Sequence, residues 1–199
     1  MEIYNCKQGE DEWFAAKLGI PSASNFSKVI ASGKGITRQG YIYKLAAEIL
    51  TGQQQTSYSN ANMDRGTELE PAARDDYELV TGNEVKQVGF VLNGKIGCSP
   101  DGLIDLDGGL EVKCPLPSTH IATVMSGIIP SEHKPQMQGS MLVTERKWWD
   151  FCSYCPEIDG KYIFIRRMMR DEKYITDLKS KINDFIEDLE YIVKSMKNK

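Results

Sequence analysis

Glu111 and Lys113 stand two residues apart in the run Leu110-Glu111-Val112-Lys113-Cys114. On a strand, residues two apart share a face. Leu110, Val112 and Cys114 then point into a core, and the other face carries an acid beside an amine. Strands over 102–106 and 110–114 flank Asp107-Gly108-Gly109, a turn signal. A three-residue loop without a bulge sets Leu106 opposite Leu110, Asp105 opposite Glu111 and Leu103 opposite Lys113. Asp101 then lies diagonally across from Lys113, within reach of a long side chain. Two carboxylates on one face are hard oxygen donors of the kind magnesium takes. Such an ion stabilises charge on a phosphate and lowers the pKa of a bound water. Lys113 would orient or deprotonate that water, or stabilise the transition state. Asp105 shares the face and is an alternative ligand to Asp101, although its place near the loop suits a solvated role. The bare pattern also describes an ordinary solvent-facing hairpin.

The elements that must position these residues follow from periodicity and turn chemistry. Residues 11–18 read as a short helix with Trp13, Phe14 and Leu18 on its apolar side. Ser22 or Ser24 can cap a second helix carrying Phe26, Val29 and Ile30. A loop at 32–40 precedes a helix over 41–50, and a polar stretch occupies 51–62. A helix over 67–80 ends at Gly82. Strands over 85–92 and 95–98 flank Asn93-Gly94. Ser118 can cap a helix running to Met125, and another helix covers 131–143. Strands over 148–154 and 162–168 follow. A last helix begins near Asp171, with an apolar stripe at Tyr174, Leu178, Ile182, Phe185, Ile186, Leu189 and Val193. This order predicts one α/β domain over residues 1–199, with a mixed sheet and the helix at about 171–197 packed on it.

Composition bounds the function. The 199 residues are 41% hydrophobic and 26% charged, as in a soluble globular protein. No apolar run approaches the roughly 20 residues of a membrane span, and the start lacks a secretory pattern. A cytoplasmic location and no membrane partner are expected. The five cysteines are odd in number and irregularly spaced, which argues against a disulfide framework. Cys152-x-x-Cys155 lacks a second pair or a nearby histidine, so two thiols on a strand and its end are expected. The net charge of −4 weighs against nucleic acid, but carboxylates gathered at a metal site contribute to it. Lys161, Arg166, Arg167, Arg170 and Lys173 form a basic cluster that either contacts DNA backbone or is ordinary solvated surface.

Beyond this pair, SPDG followed by GLEVKCP resembles the PD-(D/E)xK nuclease superfamily. More specifically, the chain resembles the lambda-type phage exonucleases, the YqaJ-like viral recombinase and alkaline exonuclease family. The resemblance runs in order through EWFAAKLGIPSAS, RGTELEPAARDDYELVTG, CSPDG, LEVKCP, PQMQGSMLVT and RDEKY, from about residue 8 to residue 175. It implies a restriction-endonuclease-like core, a central mixed β-sheet flanked by helices.

The resemblance also implies roles. Asp101 and Glu111 hold Mg²⁺, for which Mn²⁺ substitutes, with Glu70 and the Val112 backbone carbonyl completing the site. Lys113 is the catalytic lysine and Gln136 the active-site glutamine, which its neighbour Gln138 could mimic. Lys17, Ser24 and Ser99 match a pocket for a terminal 5′-phosphate. Lysine replaces the arginine of the best-known member and so loses the bidentate fork. Met63 matches an apolar wedge that parts the strands, and His133 takes an aromatic position near Gln136. The implied activity is 5′-to-3′ degradation of one strand of linear duplex DNA to mononucleotides, leaving 3′ overhangs. The implied partners are double-stranded DNA ends, further copies in a trimeric ring, and a single-strand annealing protein; the compartment is the bacterial host cytoplasm if the chain is phage-encoded. The alternatives are another PD-(D/E)xK endonuclease, a single-strand nuclease, or a non-catalytic module that binds DNA ends.

Overall fold

Two sheets organise the chain. In order, the elements are β1 (Glu2–Tyr4), α1 (Asp11–Lys17), α2 (Phe26–Val29), α3 (Ile36–Thr51), α4 (Ala61–Thr81), β2 (Val85–Lys86), β3 (Phe90–Asn93), β4 (Ile96–Cys98), β5 (Gly102–Ile104), β6 (Gly108–Lys113), α5 (Pro117–Ser126), α6 (Lys134–Thr144), β7 (Trp148–Tyr154), β8 (Ile163–Met169) and α7 (Glu172–Lys197). The computed structural model describes residues 1–31, 36–55 and 61–198, without the side chains at 61 and 63. Parts of the expected loop at 32–40 and of the polar stretch at 51–62 therefore lie outside the described residues. Their flanks are helical: α3 and α4 each begin several residues earlier than periodicity placed them.

The small sheet has the order β1-β3-β4 and the large one β2-β5-β6-β7-β8. In the large sheet β6 and β7 are parallel and the other pairs antiparallel. A parallel pair needs a long crossover, and α5 and α6 supply it. The sheet is mixed and flanked by helices, as expected. On one face Leu103, Trp149 and Phe151 join Met137 and Met141 of α6, with α2, α3 and α7 contributing to the same core. On the other, Ile104, Leu110, Val112 and Cys152 meet Ala73 and Tyr77 of α4. The α7 stripe buries Ile175, Leu178, Ile182, Phe185 and Leu189. Burial is worth about 1.5–3 kcal/mol for each large apolar side chain, so packing holds this helix in place. Its N-cap, Asp171, accepts the Tyr174 N–H at 3.0 Å.

Three local expectations are corrected. The strand expected over 85–92 divides between the two sheets. At the break Gly89 gives its N–H to the Tyr4 carbonyl at 2.9 Å, and a Cβ there would lie 2.4 Å from the Cys6 carbonyl oxygen. The chain thus crosses too close to the first segment for any side chain, and β1, unmarked by alternation, pairs there. The β3–β4 turn is Gly94-Lys95, because Asn93 pairs with Ile96 and spends its amide on the Val143 carbonyl at 2.9 Å. Ser118 lies inside α5, which starts with Leu116 as N-cap and Pro117 in the first turn, the place where a missing N–H costs nothing.

Candidate active site

The β5–β6 hairpin has a three-residue loop as expected, but it lies two residues earlier, at 105–107. Leu110 pairs with Gly102 rather than Leu106, a slide of four residues. Gly108 and Gly109 are strand residues, not turn residues. A Cβ would lie 2.0 Å from the Trp148 ring at Gly108 and 2.3 Å from the Trp149 ring at Gly109. Arg146 fixes the turn by donating to the carbonyls of Ile104, Asp105 and Gly108 at 2.9, 3.0 and 2.6 Å. An even slide preserves the faces, since the side-chain period is two. One step beyond the ladder, Asp101 comes opposite Glu111 itself. Asp105 leaves the strand for an exposed turn at φ 46°, which removes it as the alternative ligand.

The acid–amine face is closely bonded. The Glu111 side chain is 2% exposed and pairs with the Lys113 ammonium. Gln136 of α6 donates its amide to the same Glu111 oxygen, Oε1, at 2.6 Å. Gln138 is turned elsewhere: it donates to the Met169 carbonyl at 2.9 Å and accepts the Asp171 N–H at 3.0 Å, joining β8 to α7. Asp101 Oδ2 accepts the Val112 N–H at 2.6 Å, closing the end of the ladder. Burial first, then the charges of Glu111 and Glu70, push the Asp101 carboxyl well above its usual range; Lys113 and the Val112 N–H oppose them. Burial works against the charge of Lys113, yet Glu111, Asp101 and Glu70 outweigh it and hold the ammonium above its usual pKa. Lys113 is therefore held as a charged hydrogen-bond donor in this arrangement.

Glu70 reaches the site from α4 and pairs with Arg74 one turn along. Among the described residues no three of His, Cys, Asp and Glu stand together as a ready metal-ligand group. Glu70 and Asp101 line one cleft while Glu111 is buried, and each of the three is held by a different partner. That cleft, about 690 Å³, is lined by Glu70, Asp101, Val112, Lys113, His133 and Ser153 among others. A second, about 620 Å³, is lined by Gln8, Trp13, Arg74 and Pro100, and again by Glu70 and Asp101. The two clefts meet at those two acids.

Two of the residues matched to a phosphate pocket, Lys17 and Ser99, contact Trp13, while Ser24 bonds within its own turn. The Trp13 indole N–H donates to Ser99 Oγ at 2.8 Å, and the Lys17 ammonium lies 3.7 Å from the ring centroid. Burial, helped by Lys44 and opposed by Glu48, lowers the Lys17 pKa to about 8. Ser24 Oγ lies 3.3 Å from Ser22 Oγ, and Asn25 donates to both. The turn bearing them packs on β4, which ends one residue before Ser99. Met63 is in the first turn of α4; the wedge assigned to its side chain falls outside the described residues.

Trp13 read as plain apolar surface in the sequence, although its spacing to Lys17 allows a ring–cation contact along the helix. His120 carried no signal. It is fully buried, with Nδ1 2.8 Å from Ser153 Oγ and Nε2 2.8 Å from the Lys161 carbonyl. A carbonyl only accepts, so Nε2 carries the proton. His133 stacks on Phe151, centroids 5.1 Å apart. The basic cluster is not one patch: Arg167 grips buried Asp150 at 2.8 and 2.9 Å, and Arg170 bonds the Met141 carbonyl and Glu172. Cys152 is buried beneath α4, and the Cys155 thiol donates to Glu157.

A mixed sheet presenting Asp101, Glu111 and Lys113 on one face defines a nuclease of the PD-(D/E)xK type. The YqaJ-like viral recombinase domain matches residues 12–147, and the chain belongs to that family. It is similar to the alkaline exonuclease LHK-Exo of Laribacter hongkongensis, with 39% identity and a TM-score of 0.88 over 94% of this chain and 96% of that one. The structure of LHK-Exo in complex with dAMP gives 40% identity and a TM-score of 0.89 over the same shares. A phage-related exonuclease from Haemophilus somnus 129PT shares the fold, with 15% identity and a TM-score of 0.68 over 89% of this chain and 96% of that one. No curated protein sequence matches significantly. Among the described residues, no helix is long and apolar enough to cross a membrane.

Proposed function

We propose that this chain is a magnesium-dependent exonuclease that degrades one strand of linear double-stranded DNA from its 5′ end. Products are mononucleotides and 3′ single-strand overhangs. The observation that carries the reading is the meeting of two clefts at Glu70 and Asp101, one leading to Lys113 and the other to Trp13. A 5′ end seated by Lys17, Ser24 and Ser99 would bring the adjoining phosphodiester to the acids. Similarity to an alkaline exonuclease solved with dAMP supports mononucleotide release.

The donor set suits a divalent cation. The charges of Glu111 and Glu70 help push the buried Asp101 carboxyl up, and a hard ion would relieve that repulsion. Asp101 and Glu111 would hold it with the Val112 carbonyl, and Glu70 would leave Arg74 to join them. When bound, the ion supplies Lewis acidity and a water of lowered pKa, and Mn²⁺ substitutes for Mg²⁺. The chain's own groups do the rest. Lys113, released from Glu111, orients the attacking water and balances charge on the phosphate. Gln136 holds Glu111 in place. The usual setting of such an enzyme is phage-type recombination in a bacterial cytoplasm, as a trimeric ring beside a single-strand annealing protein.

Digestion of linear duplexes labelled at either end, beside closed circles and single strands, tests this. Early release of the 5′ label in Mg²⁺ and none in EDTA is expected. Cut circles would replace the reading with an endonuclease, and early 3′ release would reverse the polarity. Binding without hydrolysis would leave an end-binding module.

A further inference from the structure

One stripe of α3 supports the segment that joins Lys17 to Ser24. Tyr41, Lys44 and Glu48 lie three and four residues apart, on one side of that helix. Tyr41 Oη accepts the Ser22 N–H at 3.2 Å, and Glu48 Oε2 accepts the Gly19 N–H at 3.1 Å. Lys44 stands between them. Its side chain is 40% exposed and its ammonium lies 3.9 Å from Glu48 Oε1, beyond hydrogen-bond length. Glu48 is buried and already bonded to the Gly19 and Gln55 N–H groups. One committed carboxylate thus serves two lysines, and Lys44 is near enough to help depress the Lys17 pKa.

We propose that Lys44 is a second cation of the terminal-phosphate site and sets its preference for phosphorylated ends; this rests on the exonuclease reading above. A terminal phosphate carries about −1.5 to −2 charge at neutral pH, whereas an internal phosphodiester carries a single charge. Lys17 balances one charge and has no fork with which to grip two oxygens. Lys44 supplies the second charge from the helix stripe that holds the backbone at Gly19 and Ser22. Asn25 adds to the cradle. Both serine oxygens accept from its amide, and one serine hydroxyl can bond the other. The second hydroxyl proton is then left to face an anion.

The test is the ratio of initiation rates on 5′-phosphorylated and 5′-hydroxyl linear duplexes of identical sequence. It is measured for the unaltered protein and for Lys17→Met, Lys44→Met and Lys44→Arg. The ratio cancels any loss of folded protein. The unaltered protein is expected to favour the phosphate. Lys44→Met should cut the ratio on the order of tenfold, as expected for one charge-assisted hydrogen bond, and Lys44→Arg should restore most of it. A Lys44→Met ratio equal to that of the unaltered protein, with Lys17→Met reduced, overturns the role of Lys44 and leaves the phosphate site standing. An unaltered protein that digests both ends equally from the 5′ side overturns the phosphate site, and Lys44 with it.

Discussion

Replacing Lys113 with methionine keeps the length of the side chain and removes the charge that balances the buried acids. Glu111, 2% exposed, keeps only the Gln136 amide among the described residues' side chains, beside an Asp101 whose carboxyl already resists ionisation. Removing one partner of a buried ion pair costs about 3–5 kcal/mol. The Lys113 side chain is 34% exposed and the Gln136 bond survives, so the lower end, about 3 kcal/mol, applies. For a chain of this size each kcal/mol shifts the melting temperature by about 2–4 °C, which gives a fall of about 6–12 °C. Calorimetry in EDTA at neutral pH measures it. Saturating Mg²⁺ should recover much of the loss, because the ion supplies the missing charge, while nucleotide release stays at least about a hundredfold down. Equal melting of both proteins in EDTA would refute the claim that Lys113 balances these carboxylates. Undiminished nucleotide release by Lys113→Met would refute its role in the reaction.

Gln136→Leu removes the amide from Glu111 and should lower kcat about tenfold with little change in KM, a stability loss of about 1 kcal/mol accompanying it; steady-state digestion and melting separate the two. Arg167→Met leaves Asp150, 3% exposed in its side chain, with Tyr77 as its side-chain partner among the described residues. A loss of about 3 kcal/mol, read from the urea midpoint, should come without loss of digestion at low temperature. The Arg65 guanidinium beside Glu157 holds its carboxyl down to about 2, from an ordinary 4.5. A depressed pKa stabilises the fold above the unfolded value and loses that contribution as pH falls through the folded one. Glu157→Gln should therefore melt below the unaltered protein at pH 6–7, and the two curves should converge as pH approaches 2.

Parity carried the site in the sequence. Glu111 and Lys113 share a face whatever the register, and a slide of four residues could not move Asp101 off it. Register itself was illegible, because what sets it is remote: the rings of Trp148 and Trp149 demand bare backbone at Gly108 and Gly109, and Arg146 gathers the turn carbonyls from across the sheet. The α7 stripe was plain, since seven positions repeat at one period. β1 was not, because three residues carry no pattern. Glu70 and Gln136 had no local mark and rested on resemblance. Trp13, Lys44 and His120 escaped because their meaning lies in what other elements bring to them.

The anchor of α4 has a consequence for Glu70. Tyr77, two turns along that helix, is fully buried and donates to Asp150 Oδ2 at 2.7 Å, while Asn83 donates to Tyr77 Oη at 2.9 Å. The backbone that carries Glu70 is thereby pinned to β7. Glu111 is set by its strand ladder, and Asp101 by its place where that ladder ends. Glu70 alone of the three acids can change partner by turning about its own bonds, with Arg74 as its resting place. The centre has two acids at fixed addresses and a third on a short tether.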